Sequence, residues 1–201
     1  MKAQDEVRTL VPEGTDPPAD VPPEIFRAAL DTVLARRRLD MRALALETGM
    51  ARATLYRKVG DRDRLLGEVL WYMTRREWIR ALEGTDSLEG APRVVEILRR
   101  FMRRVEEGPA LRRLLEEEPE ATLRILTSKH GALQGRIIQT VERLLAQEEE
   151  RGTLRPFIER PTLAYVIVRI GESFLYADVI ADGEPDVDRA VEIIARLLRE
   201  G

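Results

Sequence analysis

Cysteine is absent from the sequence and histidine occurs once, so several kinds of site are excluded. Without cysteine there can be no disulfide, no thiolate metal site and no cysteine nucleophile. The one histidine, His130, has no histidine or cysteine beside it to complete a metal site, and we predict neither a metal nor a cofactor. A chain without disulfides suits a reducing compartment, and cytoplasmic localisation is the simplest expectation.

Aromatic residues and long apolar runs are also scarce. Four Phe, four Tyr and two Trp make up 5% of the 201 residues. No uninterrupted apolar run reaches the roughly 18 residues expected of a membrane-spanning helix. The first residues contain no apolar stretch of signal-peptide length. We therefore expect neither secretion nor insertion into a membrane.

Leucine, alanine, arginine and glutamate dominate the sequence, which is typical of a helical protein. Apolar residues recur at helical spacing along most of the chain, and no segment alternates apolar and polar residues as a strand would. We predict an all-α fold of about nine helices. Residues 1–21, which are rich in proline and acids, are predicted to form a flexible arm.

Charge is distributed unevenly along the chain. The net charge is −3, yet residues 24–80 carry 13 Lys or Arg against 8 Asp or Glu, a local net charge of +5. A basic module joined to an acidic body favours a polyanionic partner for one part of the protein, although a solvated basic face is the alternative. The acidic runs at 116–118 and 148–150 are predicted to be solvated helix ends.

Two short helices joined by a glycine turn are predicted inside the basic module. Asp40 is a good N-cap for a helix of about two turns that Gly49 ends, and a second helix covers residues 52–58. This is the helix-turn-helix pattern, in which the second helix enters the major groove of DNA. Arginine suits guanine, threonine can reach a base edge or a phosphate, and tyrosine and lysine suit phosphate oxygens. The outward-facing residues are Arg52, Thr54, Tyr56, Arg57 and Lys58.

The string LALETGMARATLYRKVGDRDRLL resembles the N-terminal domain of the TetR family of one-component regulators, with a match over residues 24–70. Ala51 stands where the family often has a Ser or Thr cap, and Val59 stands where Phe is common. The resemblance implies that Tyr56, Lys58 and Arg62 hold phosphates while Arg52, Thr54 and Arg57 face the bases. Arg42 is also predicted to contact DNA.

Two longer strings, RRRLDMRALALETGMARATLYRKVGDRDRLLGEVLW and VRIGESFLYADVIADGEPDVDRAVEII, resemble QsdR-type regulators within that family. This resemblance implies a link to lactone signals and quorum sensing. The predicted domains are the arm at 1–21, a three-helix DNA-binding domain at 22–68, and a helical ligand-binding and dimerisation domain at 69–201.

A dimer interface is predicted in the last third of the chain. Residues 161–181 are apolar on all sides, which indicates a helix buried both in its own domain and against a partner. Residues 186–199 add a second apolar stripe, so the two segments can form half of a four-helix interface. A larger monomeric core is the alternative. The predicted interface residues are Val187, Val191, Ile194 and Leu198.

The same apolar segment carries a polar stripe of Arg169, Glu172, Ser173 and Tyr176. The stripe is either an internal Arg169–Glu172 ion pair with a tyrosine beside it, or part of a small-molecule site. If it is a ligand site, Trp71, Trp78 and Phe101 are the predicted apolar walls.

These patterns predict a transcriptional repressor that binds a palindromic DNA operator as a homodimer and is released by a small lipophilic effector. An enzyme is not expected, because GESFL at 171–175 lacks the closing glycine and the strand of a nucleophile elbow. A helical enzyme and a helical adaptor that docks its basic surface on an acidic protein remain the alternatives.

Overall fold

The computed structural model describes residues 9–11, 18, 20–127 and 132–199, and the prediction of an all-α fold is confirmed for them. Within residues 23–199, the described positions form eleven helices, and no strand occurs in the described ranges. In chain order the helices are α1 (Pro23–Leu34), α2 (Met41–Glu47), α3 (Arg52–Val59), α4 (Arg62–Leu82), α5 (Gly90–Glu106), α6 (Pro109–Glu117), α7 (Pro119–Thr127), α8 (Ala132–Glu150), α9 (Arg160–Leu175), α10 (Ala177–Ile180) and α11 (Val187–Arg199).

The chain divides into two compact units. The head unit contains Glu13–Thr74 and Gly108–Gly135, and the body unit contains Met1–Pro12, Arg75–Glu107 and Arg136–Gly201. Helix α4 contributes its first part to the head unit and its last part to the body unit. Helices α6 and α7 belong to the head unit together with the helices predicted to bind DNA. The functional limits predicted at residues 21 and 68 stay a prediction.

The core of the head unit forms where the apolar faces of its short helices meet. Phe26 of α1 packs edge-on against Tyr72 of α4 with ring centroids 5.3 Å apart. Leu55 of α3 and Leu65 of α4 are fully buried. Short helices are marginal by themselves, so this burial is the main source of their stability.

The core of the body unit is built around α11, which packs against α5 and α9. Trp78 near the end of α4 stacks on Phe101 of α5, with ring centroids 3.9 Å apart and planes 13° apart. The apolar segment 161–181 is two helices rather than the single one predicted, because the backbone at Tyr176 (φ −115°, ψ 23°) separates α9 from α10.

A buried ion pair joins α5 and α8. Arg93 and Glu148 have side chains that are 1% and 0% exposed, and Arg93 Nη1 lies 2.7 Å from Glu148 Oε1. The carboxylate also accepts hydrogen bonds from the Gly90 amide (2.7 Å) and the Thr153 hydroxyl (2.9 Å). The prediction that residues 148–150 are a solvated helix end is therefore wrong at Glu148.

Gly90 is required at the start of α5 for two reasons. Its φ of +60° lies in the left-handed region, and a Cβ there would stand 2.4 Å from the carbonyl oxygen of Thr153. Only glycine leaves room for the amide to reach Glu148.

Parts of the predicted arm are packed. Leu10 and Val11 are 1% and 0% exposed, and Val21 is also buried, so the expectation of a flexible arm does not hold at these positions. None of the described helices has the length and apolar character needed to cross a membrane.

Candidate nucleic-acid interface and effector site

Helix α2 and the turn after it have the geometry of a helix-turn-helix. Asp40 caps α2 by accepting hydrogen bonds from the amides of Arg42 (2.8 Å) and Ala43 (2.7 Å). The Ala43 hydrogen bond, together with that of Arg42, holds the pKa of the Asp40 carboxyl below its ordinary value. Gly49, with φ +65°, reverses the chain, and the Met50 amide then donates to the Ala45 carbonyl at 2.9 Å. The predicted turn at Gly49 is confirmed.

Helix α3 is held by its inner face. Leu55 and Val59 are fully buried, and Ala45 of α2 is 3% exposed, as expected of a small residue where two helices meet. Ala51 makes no side-chain cap at the start of α3, which agrees with its departure from the usual Ser or Thr. The absent cap leaves α3 dependent on this packing.

The outer face of α3 is cationic. Arg52, Arg57 and Lys58 are exposed, and none of them forms an ion pair within the described part of the chain. Tyr56 is 41% exposed, so it is not a core residue. The helix contains no acid. Thr54 is half-buried on α3, and Arg42 is exposed on α2.

Arg62 makes contacts inside the head unit that the family resemblance did not indicate. Its Nε donates to the Leu39 carbonyl at 2.8 Å, and its Nη2 lies 2.8 Å from Glu118 Oε2. Its side chain is only 19% exposed. Its Nε and Nη2 donors are therefore occupied inside the head unit, and the phosphate contact that the resemblance implied stays a prediction. Glu118, predicted to be solvated, is 15% exposed and pairs with both Arg62 and Arg38.

The predicted effector residues separate into two groups. Trp71 is buried in the head unit, whereas the other six belong to the body unit. The stacked pair of Trp78 and Phe101 is buried, at 1% and 6% exposure. Trp78 Nε1 has no hydrogen-bond acceptor among the described residues. A buried indole N–H without an acceptor is costly, and such a group commonly meets a bound molecule or water.

The polar stripe contains the internal ion pair that sequence reasoning offered as one alternative. Arg169 Nη1 lies 2.5 Å from Glu172 Oε2, and the Ser173 hydroxyl donates to the Arg169 carbonyl at 2.8 Å. Arg169 and Ser173 are exposed, whereas Glu172 and Tyr176 are buried at 7% and 6% exposure. Only Glu172 and Tyr176 thus face the interior of the body unit.

The four predicted interface residues lie inside the protomer. Val187, Val191, Ile194 and Leu198 are all at most 4% exposed in the single chain, because α11 packs on α5 and α9. They are core residues of the protomer, which does not favour a direct contact with a second chain, and their place in the dimer interface stays a prediction. The exposed large apolar side chains nearby are Phe157, Tyr165 (51%), Ile180 and Ile193 (37%).

An open groove of about 370 Å³ runs along α5 and α11. It is lined by three apolar residues, by arginines and by two acids: Val95, Val191, Ala195, Arg99, Arg196, Arg199, Asp188 and Glu192. None of the predicted effector residues lines it.

No group of three or more His, Asp or Glu suited to a metal occurs among the described residues. His130 lies outside them.

Comparison with known proteins places this architecture in a family. Residues 89–199 match the family model described as "Tetracyclin repressor-like, C-terminal domain". The chain is also similar to a solved structure from R. erythropolis, the transcriptional repressor QsdR from the TetR family. The TM-score is 0.80 and the identity 32%, over 87% of this chain and 92% of that chain. No curated protein matches. The chain belongs to the TetR family and is a ligand-responsive, DNA-binding regulator of transcription, not an enzyme.

Proposed function

We propose that the protein is a repressor that binds a palindromic operator as a homodimer and releases it when a small lipophilic effector, of the lactone class, binds the body unit. The observation that carries this proposal is the outer face of α3, where three exposed cations have no ion-pair partner in the described part of the chain. The lactone class is what the resemblance of the sequence to QsdR-type regulators implies, and the similarity to the solved QsdR structure supports that resemblance.

The DNA-binding roles follow from side-chain chemistry and exposure. Arg52 and Arg57 can each donate two hydrogen bonds to guanine, and Thr54 can reach a base edge. Tyr56 and Lys58 suit phosphate oxygens, which explains why a tyrosine is exposed next to two basic residues. Arg42 on α2 is a further candidate for a phosphate contact. We leave Arg62 out of the proposed set, because its Nε and Nη2 donors make internal contacts.

The homodimer is proposed to form through the exposed sides of α9 and α11. Tyr165 and Ile193 are apolar surfaces on these two helices that the protomer leaves uncovered. If the exposed sides of α9 and α11 from two copies meet, they form a four-helix contact. A dimer with two-fold symmetry matches a palindromic operator.

Replacing Ile193 with aspartate should dissociate this dimer, because a carboxylate would be buried without a partner. Light scattering should then give a mass near one 23.0 kDa chain, with the helical circular dichroism retained. Leu46→Asp, at a 78% exposed position on α2, should keep the mass of the parent. Val191→Asp should instead lower folding stability, since Val191 is a core residue. A dimeric Ile193→Asp protein would place the interface elsewhere.

The effector is proposed to lie beside the stacked Trp78 and Phe101 in the body unit. The ring pair offers an apolar wall, and Trp78 Nε1 is a donor that a carbonyl oxygen of an uncharged effector would satisfy. Tyr176 supplies a buried hydroxyl in the same unit.

Tyr176→Phe should raise the effector concentration needed for operator release severalfold, because one ordinary hydrogen bond contributes about 0.5 to 1.5 kcal/mol. Operator affinity without effector should not change. Ser87→Ala is the control, because it also removes one hydroxyl but at an exposed position of the body unit that belongs to neither the proposed effector site nor the proposed interface. Tryptophan fluorescence provides a second measurement, since the chain has two tryptophans and one of them is Trp78. If Tyr176→Phe responds to effector like the parent, and effector does not change the tryptophan fluorescence, Tyr176 and the tryptophans have only a structural role.

The proposed mechanism is a shift between two conformations. Effector binds a body conformation in which the two recognition helices no longer match half-sites about 34 to 36 Å apart. Helix α4 can transmit the change, because its residues belong to both units.

Selection of bound sequences from genomic DNA, repeated with candidate lactones, tests the function. Enrichment of a palindrome that a lactone abolishes is the expected result. Weak binding without sequence preference would favour an adaptor that uses its basic surface on an acidic protein.

A further inference from the structure

Glu118 lies between α6 and α7 and binds two arginines of the head unit. Arg62 Nη2 lies 2.9 Å from its Oε1 and 2.8 Å from its Oε2, and Arg38 Nε lies 2.9 Å from its Oε1. The two arginines flank the helix-turn-helix, because Arg38 comes shortly before α2 and Arg62 is the first residue of α4.

Arg62 fixes the start of α4 to the start of α2. Its Nε donates to the Leu39 carbonyl at 2.8 Å, and Leu39 immediately precedes the Asp40 cap of α2. One guanidinium thus joins a backbone carbonyl and a carboxylate. Charge-assisted hydrogen bonds of this kind are stronger and more directional than neutral ones, and Arg62 and Glu118 are both largely shielded from water.

Helix α7, which follows Glu118, also contacts α4 directly. Arg124 Nη2 lies 2.7 Å from Asp63 Oδ2, and a Cβ on Gly67 would stand 3.6 Å from Ile125 Cγ2. Within the pair of helices, the Thr122 hydroxyl donates to the Leu114 carbonyl at 3.0 Å. The α6–α7 segment therefore contacts the first part of α4 at several positions, next to the helix-turn-helix.

We propose that Glu118 is a positioning residue for operator recognition, which orients α2 and α3 on α4 through Arg62 and Arg38 without touching DNA. The inference rests on the proposed operator binding and adds a residue to it. The rival role is charge neutralisation, in which Glu118 only keeps two arginines away from phosphates. The two roles predict opposite changes in operator affinity when Glu118 is replaced. Releasing the arginines would strengthen DNA binding, whereas misplacing α3 would weaken sequence-specific binding.

Glu118→Gln tests this, since it removes the charge and keeps the size of the side chain. Affinity is measured for a selected operator and for an unrelated duplex of equal length, with the melting temperature of each variant. Operator affinity should fall about 2- to 30-fold while affinity for the unrelated duplex holds, so that specificity is lost. Glu117→Gln is the control, because the neighbouring carboxylate is exposed and pairs with Arg113 on its own helix.

Arg62→Lys gives a second test that keeps the positive charge. A lysine preserves a phosphate contact but loses the fork that joins Leu39 to Glu118, so the inference expects the same loss of specificity. Stronger operator binding by Glu118→Gln, equal losses on both duplexes, or full specificity in Arg62→Lys would each overturn it. If the parent itself shows no operator preference, the proposed function fails first and this inference with it.

Discussion

Glu148→Ala should lose about 3 to 5 kcal/mol of unfolding free energy, because it leaves Arg93 as a buried cation without its carboxylate. The variant also removes the acceptor of the Gly90 amide. Urea denaturation followed by circular dichroism at fixed protein concentration measures the loss. Glu150→Ala is the matched control, since Glu150 is exposed on the same helix and its replacement should change stability little.

The double variant Arg93→Met with Glu148→Leu separates the contribution of the ion pair to the unfolding free energy from the contribution of side-chain packing. Replacing both charges with apolar side chains of similar size is often close to neutral, so the double variant should be more stable than Glu148→Ala. If Glu148→Ala unfolds at the same urea concentration as Glu150→Ala, the buried pair does not contribute as proposed.

The contribution of Glu148 should also depend on pH. Burial alone would raise the pKa of Glu148, but the hydrogen bonds from Gly90, Thr153 and Arg93 outweigh it and hold the pKa below its ordinary value. A carboxyl whose folded pKa lies below its unfolded pKa stabilises the protein fully above the unfolded value. That stabilisation is lost as the pH falls through the folded pKa. The stability difference between parent and Glu148→Ala should therefore shrink on acidification.

Arg57→Ala should weaken operator binding by about 1 to 3 kcal/mol, roughly 5- to 150-fold, and relax the base preference at one position. The reason is that a base-reading arginine gives both affinity and selectivity. Lys58→Ala and Tyr56→Phe should weaken binding to all sequences alike, and Lys58→Ala should lower the slope of log affinity against log salt by about one.

Arg155→Ala is the control for these variants, because Arg155 is exposed in the body unit outside α3. Fluorescence anisotropy with a labelled operator at several salt concentrations gives affinity and slope together. Affinities equal to the parent in all three α3 variants would remove α3 from the DNA interface.

Local signals in the sequence were sufficient for the helix-turn-helix. The Asp40 cap, the turn at Gly49 and the burial of Leu55 depend on residues within a few positions of one another, and the structure confirms each. Caps and turns are encoded locally, which makes them predictable from one sequence.

Contacts between distant residues were not predictable in the same way. Arg62 and Glu118 are 56 positions apart, so an acidic run at a helix end gives no sign that one of its members is partly buried and paired with a distant arginine. Glu148 was misjudged for the same reason. The stripe on α11 was correctly identified as apolar, but helical periodicity does not say whether such a stripe meets the same chain or a second one.

Regulated operator binding is tested most directly by titrating a candidate lactone into the parent protein bound to its labelled operator. The proposed function predicts tight binding that an unrelated duplex cannot match, followed by saturable release as the lactone is added. Tyr176→Phe should release only at severalfold higher concentration. Equal affinity for operator and unrelated DNA would contradict the DNA-reading role of α3, and a selective complex that no lactone disturbs would contradict the proposed effector class.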